Sequence, residues 1–144
     1  MPRIDPIQNF RFRVEIDSIT QAGFMEVEMP EMTVDVIEYR EGTDPKHVRK
    51  LSGMTKYSNI TLKQGITDDM ELFNWIKSVA EEGASANRKN MGLVLIDEAG
   101  NDRMRWVFEE AWPVKYKVAD LNSKGNEVAI EILEIAFESF KRIS

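Results

Sequence analysis

The chain has 144 residues, 19 Lys and Arg against 25 Asp and Glu, a formal charge of −6 at neutral pH, and no cysteine. The missing cysteines exclude disulfide scaffolds, thiolate zinc sites, iron–sulfur clusters and cysteine nucleophiles, and a chain of this length buries roughly 68–70% of its unfolded surface without such staples. The acidic balance disfavours a grip on nucleic acid, and neither an apolar leader after Met1 nor a window near the ~20 apolar residues of a membrane span is visible.

Residues 10–16 alternate strictly, with Phe10, Phe12, Val14 and Ile16 on one face and Arg11, Arg13 and Glu15 on the other, which predicts a half-buried strand. Residues 17–21 read as a polar turn. A second strand is expected over 23–29, Met25, Val27 and Met29 against Phe24, Glu26 and Glu28, and Pro30 stops it. From Met32 the alternation resumes with Val34 and Val36, but Ile37 and Tyr39 carry the apolar set into the opposite phase, and a bulge near Val36 accounts for the slip. The stretch 41–50 is nearly free of apolar residues and carries Gly42, Pro45 and both signs of charge, so it predicts a long exposed loop. Strand character returns over 56–63, with Ser58, Ile60 and Leu62 on one side.

A helix is expected from residue 67 or 68 to about 80. Asp68 and Glu71 have the spacing of a capping box, and Leu72, Phe73, Ile76, Val79 and Ala80 form the apolar stripe. Gly83 and Asn87 lie where it should end. Residues 93–96 and 104–108 then flank the turn 97–101 as a β-hairpin, and 114–118 continue the second strand beyond Pro113. A turn follows over 119–126. Residues 127–140 are ambiguous. Val128, Ala129, Ile132, Leu133, Ala136, Phe137 and Phe140 fit a helical stripe, while Val128, Ile130 and Ile132 followed by Leu133, Ile135 and Phe137 fit a bulged strand; pattern alone favours helix slightly. No linker or repeat divides the chain, and the spacing predicts a single mainly β domain over 1–144, a sandwich or small barrel with one firm helix.

Chemistry is scarce. His47, the only histidine, would have to serve any Ser-His-Asp triad or imidazole zinc site, yet its neighbours Lys46, Arg49 and Lys50 repel a metal and disfavour a second proton, so it reads as a solvated loop residue. Glu109 and Glu110 are consecutive in a strand and point apart, which excludes a shared glycosidic bond or metal. Asp68 and Asp69 are explained by helix capping, and Asp97, Glu98, Asn101 and Asp102 by a hairpin turn rather than a calcium loop. Phosphate-binding, dinucleotide-binding, nucleophile-elbow and zinc-protease motifs are all missing. Trp75, Trp106, Trp112, Phe108 and Tyr116 read as core and interface packing rather than a base-stacking platform. These readings point to a binding or structural role.

Several ordered stretches carry a resemblance: DPIQNFRFRVEI at 5–16, AGFMEV at 22–27, VIEYREG at 36–42, VRKLSGMTKYSNITLKQG at 48–65, LFNWI at 72–76, DEAGN at 97–101, AWPVKY at 111–116 and KGNEVAIE at 124–131. In this order and over nearly the whole chain they resemble the inner tube proteins of contractile phage tails and extracellular contractile injection systems, related in fold to the tube protein of type VI secretion. The resemblance implies a β-barrel-like two-sheet sandwich with one flanking helix. It implies homo-hexameric rings stacked into a hollow tube inside a contractile sheath, a baseplate hub and spike at one end, and a tape-measure protein, effector cargo or phage DNA in the lumen. It also implies that 127–137 is a strand, against the pattern. No catalytic residue, metal, cofactor, membrane span or sequence-specific nucleic acid contact goes with it. Assembly is expected in the bacterial cytoplasm, with the mature protein in a tail or extracellular particle. On this reading the loop 41–50 is a ring-to-ring contact made by Glu41, Asp44, Lys46, His47, Arg49 and Lys50, the cations meeting acidic residues of the next ring. The alternative is a monomeric, non-catalytic β-sandwich adaptor or binding module, with a hydrolase more distant.

Overall fold

In the computed structural model of the chain, residues 7, 10–17, 19–21, 24–39, 42, 48–66, 69–119, 121 and 129–143 are described. Among them are ten strands and one helix: β1 Arg11–Ile16, β2 Ile19–Gln21, β3 Phe24–Glu28, β4 Met32–Tyr39, β5 Arg49–Tyr57, β6 Ile60–Gly65, α1 Glu71–Glu82, β7 Lys89–Ile96, β8 Asp102–Val118, β9 Ile130–Ala136 and β10 Ser139–Arg142. Seven strands follow one another in the order β2-β1-β7-β8-β9-β6-β3, with β10 also paired to β8, while β4 and β5 form a separate two-stranded sheet.

The 17-residue β8 shapes the whole. Its first part pairs with β7 as far as Ala111, and its last part pairs with β9 from Trp112 onward. Just before the changeover Glu110 takes a positive φ of 55°, inside a register shift that sets Lys89 to Met91 against Phe108 to Ala111, and a second shift follows between Pro113 and Lys115. An unpaired residue in one strand bends it, and a proline that lacks its N–H does the least damage at such a break. The bend carries the sheet from one layer to a second across a shared core without closing it. Arg88 steadies the corner, its guanidinium 4.5 Å above the Trp112 ring and paired with Glu138.

The core takes Val14, Ile16, Met91, Leu93 and Phe108 from the first layer and Ile60, Leu62, Leu133 and Ile135 from the second, all buried. Each such side chain contributes about 1.5–3 kcal/mol by leaving water. Helix α1 covers this core with Leu72 and Trp75. That differs from the expected stripe: Phe73 is 40% exposed, and Trp75, outside that stripe though expected to pack in a core or interface, goes inward with its indole N–H donating to the Asn87 carbonyl at 2.8 Å. The helix also begins later. Asp69 accepts a first-turn N–H, from Glu71 at 2.9 Å, and Asp68, expected to cap, lies outside the described residues. Gly83, at φ 91°, ends it, with Asn87 donating to the Ser78 and Gly83 carbonyls.

Other expectations are corrected by pairing. The supposed turn 17–21 contains β2, which folds back on β1. In β3 the register shifts between Phe24 and Glu26, and Phe24, expected on the outer face, is buried in the core, with Val27 packed against it. The strand expected at 56–63 is two strands, β5 and β6, parted at residues 58–59. At the C-terminus the helical pattern is overturned: β9 pairs with β6 on one edge and β8 on the other, and Glu131, Leu133 and Ile135 point into the core.

Glu131 is the reason the pattern misled. It is 6% exposed, and its carboxylate accepts from the Gln64 side-chain amide and from the Tyr116 hydroxyl at 2.7 Å. Burial, then the Glu131 hydrogen bond, push the Tyr116 phenol up to about 12 from its usual 10. The fold therefore favours the neutral phenol, and this contribution is complete below pH 10 and lost as pH climbs towards 12. The urea midpoint is expected to fall more steeply over that interval in the wild type than in Tyr116→Phe. Equal slopes would mean that Tyr116 titrates alike folded and unfolded.

Candidate assembly surface

Among the described residues, the β4–β5 ribbon meets the body at its root. There the pairing of the two strands is extended by Ser58 N–H donating to the Glu31 carbonyl at 3.0 Å and Glu31 N–H donating to Ser58 Oγ at 2.8 Å, and the Tyr57 ring packs on the body, 5.6 Å from Phe137 and 6.3 Å from Phe140. Beyond the root the ribbon is exposed, and much of what it exposes is apolar. Val36 is 62% accessible, Ile37 51%, Leu51 52% and Met54 73%.

Register explains why both faces are apolar. Met32 opposes Tyr57 and Val34 opposes Thr55; beyond the shift, Val36 opposes Ser52 and Ile37 opposes Leu51. Between the two blocks β5 contributes Gly53 and Met54 where β4 contributes only Asp35, so the extra residue expected near Val36 sits on β5. The alternation of β4 is therefore unbroken. Met32, Val34 and Val36 share one face, and Ile37 and Tyr39 share the other with Asp35. Gly53 belongs to that second face by necessity: a Cβ there would stand 3.1 Å from Ile37 Cγ1 and 3.2 Å from the Asp35 Cβ and carbonyl oxygen. Lys56 reaches Asp35 at 3.1 Å, an exposed pair that adds little to stability.

Of the residues expected to make the ring contact, Glu41, Asp44, Lys46 and His47 lie outside the described residues. Arg49 and Lys50 do not belong to the loop at all but begin β5, paired with Tyr39 and Glu38. The apolar ribbon faces were missed, although their signal was present as two apolar phases in 32–39.

The body offers two further surfaces. On the outer face of β1, β7 and β8, Arg105 donates to Glu15 at 2.8 Å, and Arg13 bridges Glu15 at 3.0 Å and Asp102 at 3.1 Å. Arg105, and after it Arg13, hold the Glu15 carboxyl below the ordinary carboxylate range. These charges are spent on one another. Likewise the Asp97 carboxylate accepts the Ala99 and Asn101 N–H groups within its own turn and faces Arg103. The second surface is apolar: Met70, Phe73, Val114 and Val118 are exposed around α1 and the end of β8, with Phe73 edge-on to Tyr116 at 5.4 Å. Among the described residues no group of three or more acidic or histidine side chains is placed to hold a metal, and no helix is long and apolar enough to cross a membrane.

Residues 8–141 match the family model described as T4-like virus tail tube protein gp19. Among solved structures, a chain of the sheath–tube complex of the PVC extracellular contractile injection system, in its extended state, is 26% identical, with 96% of this chain and 92% of that one covered and a TM-score of 0.84. A chain of the anti-feeding prophage cap, the cap that terminates the tube of that prophage, is 23% identical over 100% of this chain and 95% of its own, also at 0.84. Hcp1 from Flavobacterium johnsoniae, 19% identical with 92% and 94% covered and a TM-score of 0.61, shares the fold. No curated protein sequence matches the chain.

Proposed function

This chain belongs to the T4-like virus tail tube protein gp19 family, and on that premise we propose that its 144 residues form one subunit of a hexameric ring, rings of which stack into a hollow tube. The protein is a structural inner tube protein of a contractile injection machine, a component of phage tails or extracellular injection particles. In our reading it catalyses nothing and is assembled in the bacterial cytoplasm. A contractile sheath surrounds the tube, a baseplate hub and spike end it, and a tape-measure protein, effector or DNA occupies its bore. The PVC and anti-feeding prophage chains come from a sheath–tube complex and a tube cap, which supports the sheath and the stacking.

One observation carries the proposal: a ribbon of two strands, apolar on both faces, projects into solvent. Two strands alone are marginal in water, and exposed apolar patches of this kind mark interaction surfaces. Covering what Val34, Val36, Ile37, Leu51 and Met54 still expose is worth about 4–8 kcal/mol, within the range of the cost of association. At the outer end of the ribbon we assign Arg49 and Lys50, with Glu41, Asp44, Lys46 and His47, to the contact between rings. Negative-stain microscopy of purified wild type is expected to show sixfold rings and tubes. The double variant Arg49→Glu, Lys50→Glu should leave rings but few tubes, with the deficit larger at low salt. A wild type that stays monomeric at all concentrations, even with sheath and baseplate proteins present, would refute the proposal.

A further inference from the structure

We infer, resting on the tube reading, that Met54 is an oxidation site that controls entry into the tube: with its thioether sulfur converted to a sulfoxide the subunit is barred from assembly, and reduction of the sulfoxide readmits it. The chain has eight methionines and no cysteine, so a thioether is the first sulfur that a peroxide meets. Met91 is buried in the core and shielded. Met54 is 73% accessible, more than Met29, Met32 or Met70, the other exposed methionines among the described residues.

Its place in the fold gives the oxidation a consequence. Gly53 and Met54 form the bulge of β5, and neither has a cross-strand partner in the register, which runs from Thr55 opposite Val34 directly to Ser52 opposite Val36. The ribbon side chains around that break, Val34, Val36, Ile37 and Leu51, are apolar and exposed, and Lys56, the nearest cation along β5, is already held by Asp35 at 3.1 Å. Methionine suits such a surface because its unbranched thioether adapts to an irregular apolar partner. A sulfoxide is polar and chiral, with an oxygen that needs a donor once water is removed. Hydrogen peroxide supplies that oxygen: an S–O bond forms as the O–O bond breaks, the sulfur is oxidised and the peroxide reduced by two electrons, and the proton on the transferred oxygen passes to the departing hydroxide, which leaves as water.

Purified full-length subunits are partly oxidised with hydrogen peroxide, the peroxide is destroyed with catalase, and the tubes that form are pelleted. Peptide mass spectrometry then compares methionine sulfoxide at each position in tubes and supernatant. Met54 sulfoxide should be at least about tenfold enriched in the supernatant, since a polar group stranded in an apolar contact weakens it by at least that factor. Treating the supernatant with methionine sulfoxide reductases A and B should return it to tubes. Met54→Leu, which keeps the volume without an oxidisable sulfur, should retain assembly at peroxide doses that stop the wild type. Met70→Leu, at the start of α1 and off the ribbon, should give no protection. The comparison within the wild type needs no variant, so it decides even if Met54→Leu assembles poorly. Equal Met54 sulfoxide in tubes and supernatant, exclusion that follows another methionine instead, or an assembling Met54→Leu chain as sensitive as the wild type overturns the inference while leaving the tube reading intact. Failure of the untreated wild type to assemble refutes the tube reading instead.

Discussion

Replacing Phe108 by Ala is expected to remove about 3–5 kcal/mol of stability, a large share of the 5–15 kcal/mol that holds a domain of ordinary size together. Phe108 is fully buried, faces Met91 across β7 and Phe140 across β10, and stacks edge-on to Phe137 at 5.0 Å. Alanine would leave a cavity at the place where β8 has partners on both sides, so little can collapse to fill it. The same ring cluster reaches Tyr57 through Phe137 and Phe140, so the loss should also loosen the ribbon root and impair assembly below the unfolding temperature. Phe73→Ala, at an exposed helix position, should cost about 1 kcal/mol or less. Urea unfolding measures both. A Phe108→Ala midpoint no lower than that of Phe73→Ala would mean that the core closes around the gap.

What was legible in the sequence follows from how each element meets water. Strand β1 and the β7–β8 hairpin announced themselves because one face of β1 is charged and the Asp97 turn is polar and tight. Strand β2 was hidden by its three residues, too few for a period to register. Strand β9 was hidden by chemistry: its buried face contains Glu131 and its half-buried face contains Ile130 and Ile132, so polarity and burial are partly exchanged. Here the family resemblance was right and the periodicity wrong. In α1, Trp75 turned inward because Asn87 offers its indole a carbonyl, a partner set by the chain beyond the helix and invisible to a helical wheel.

The candidate surface was half legible. Charge and length drew attention to residues 41–50, but the apolar ribbon beside them looked like one strand with an internal slip. Only pairing shows that the slip belongs to β5, at Gly53 and Met54, and that β4 keeps two separate apolar faces. A period count assumes that one face of a strand meets protein and the other meets water. A ribbon that carries apolar side chains on both exposed faces breaks that assumption, which is why the same residues read as irregular in sequence and as regular in structure.

The second large effect is expected at Glu131. It stands directly across from Gln64 and within reach of Tyr116, so one carboxylate joins β6, β9 and β8. Glu131→Leu would leave the Gln64 amide and the Tyr116 hydroxyl without their acceptor, at about 1–3 kcal/mol for each unsatisfied group, and is expected to cost roughly 2–5 kcal/mol. Glu131→Gln, which keeps one carbonyl oxygen, should fall between. The informative variant is the triple replacement Glu131→Leu, Gln64→Leu, Tyr116→Phe. It removes the donors together with the acceptor, and an apolar set of similar shape should recover most of the loss. If the triple variant is no more stable than Glu131→Leu alone, the cost lies in misfit volume rather than in stranded polar groups. If Glu131→Leu matches the wild type, water already satisfies the two donors and the carboxylate holds nothing together. Glu131 and Gln64 lie towards the end of the β6–β9 pair opposite Ile60 and Ile135, while the ribbon root meets Phe137 just past that other end, so variants still folded at the assay temperature should assemble normally, which separates the stability of the subunit from the chemistry of its joints.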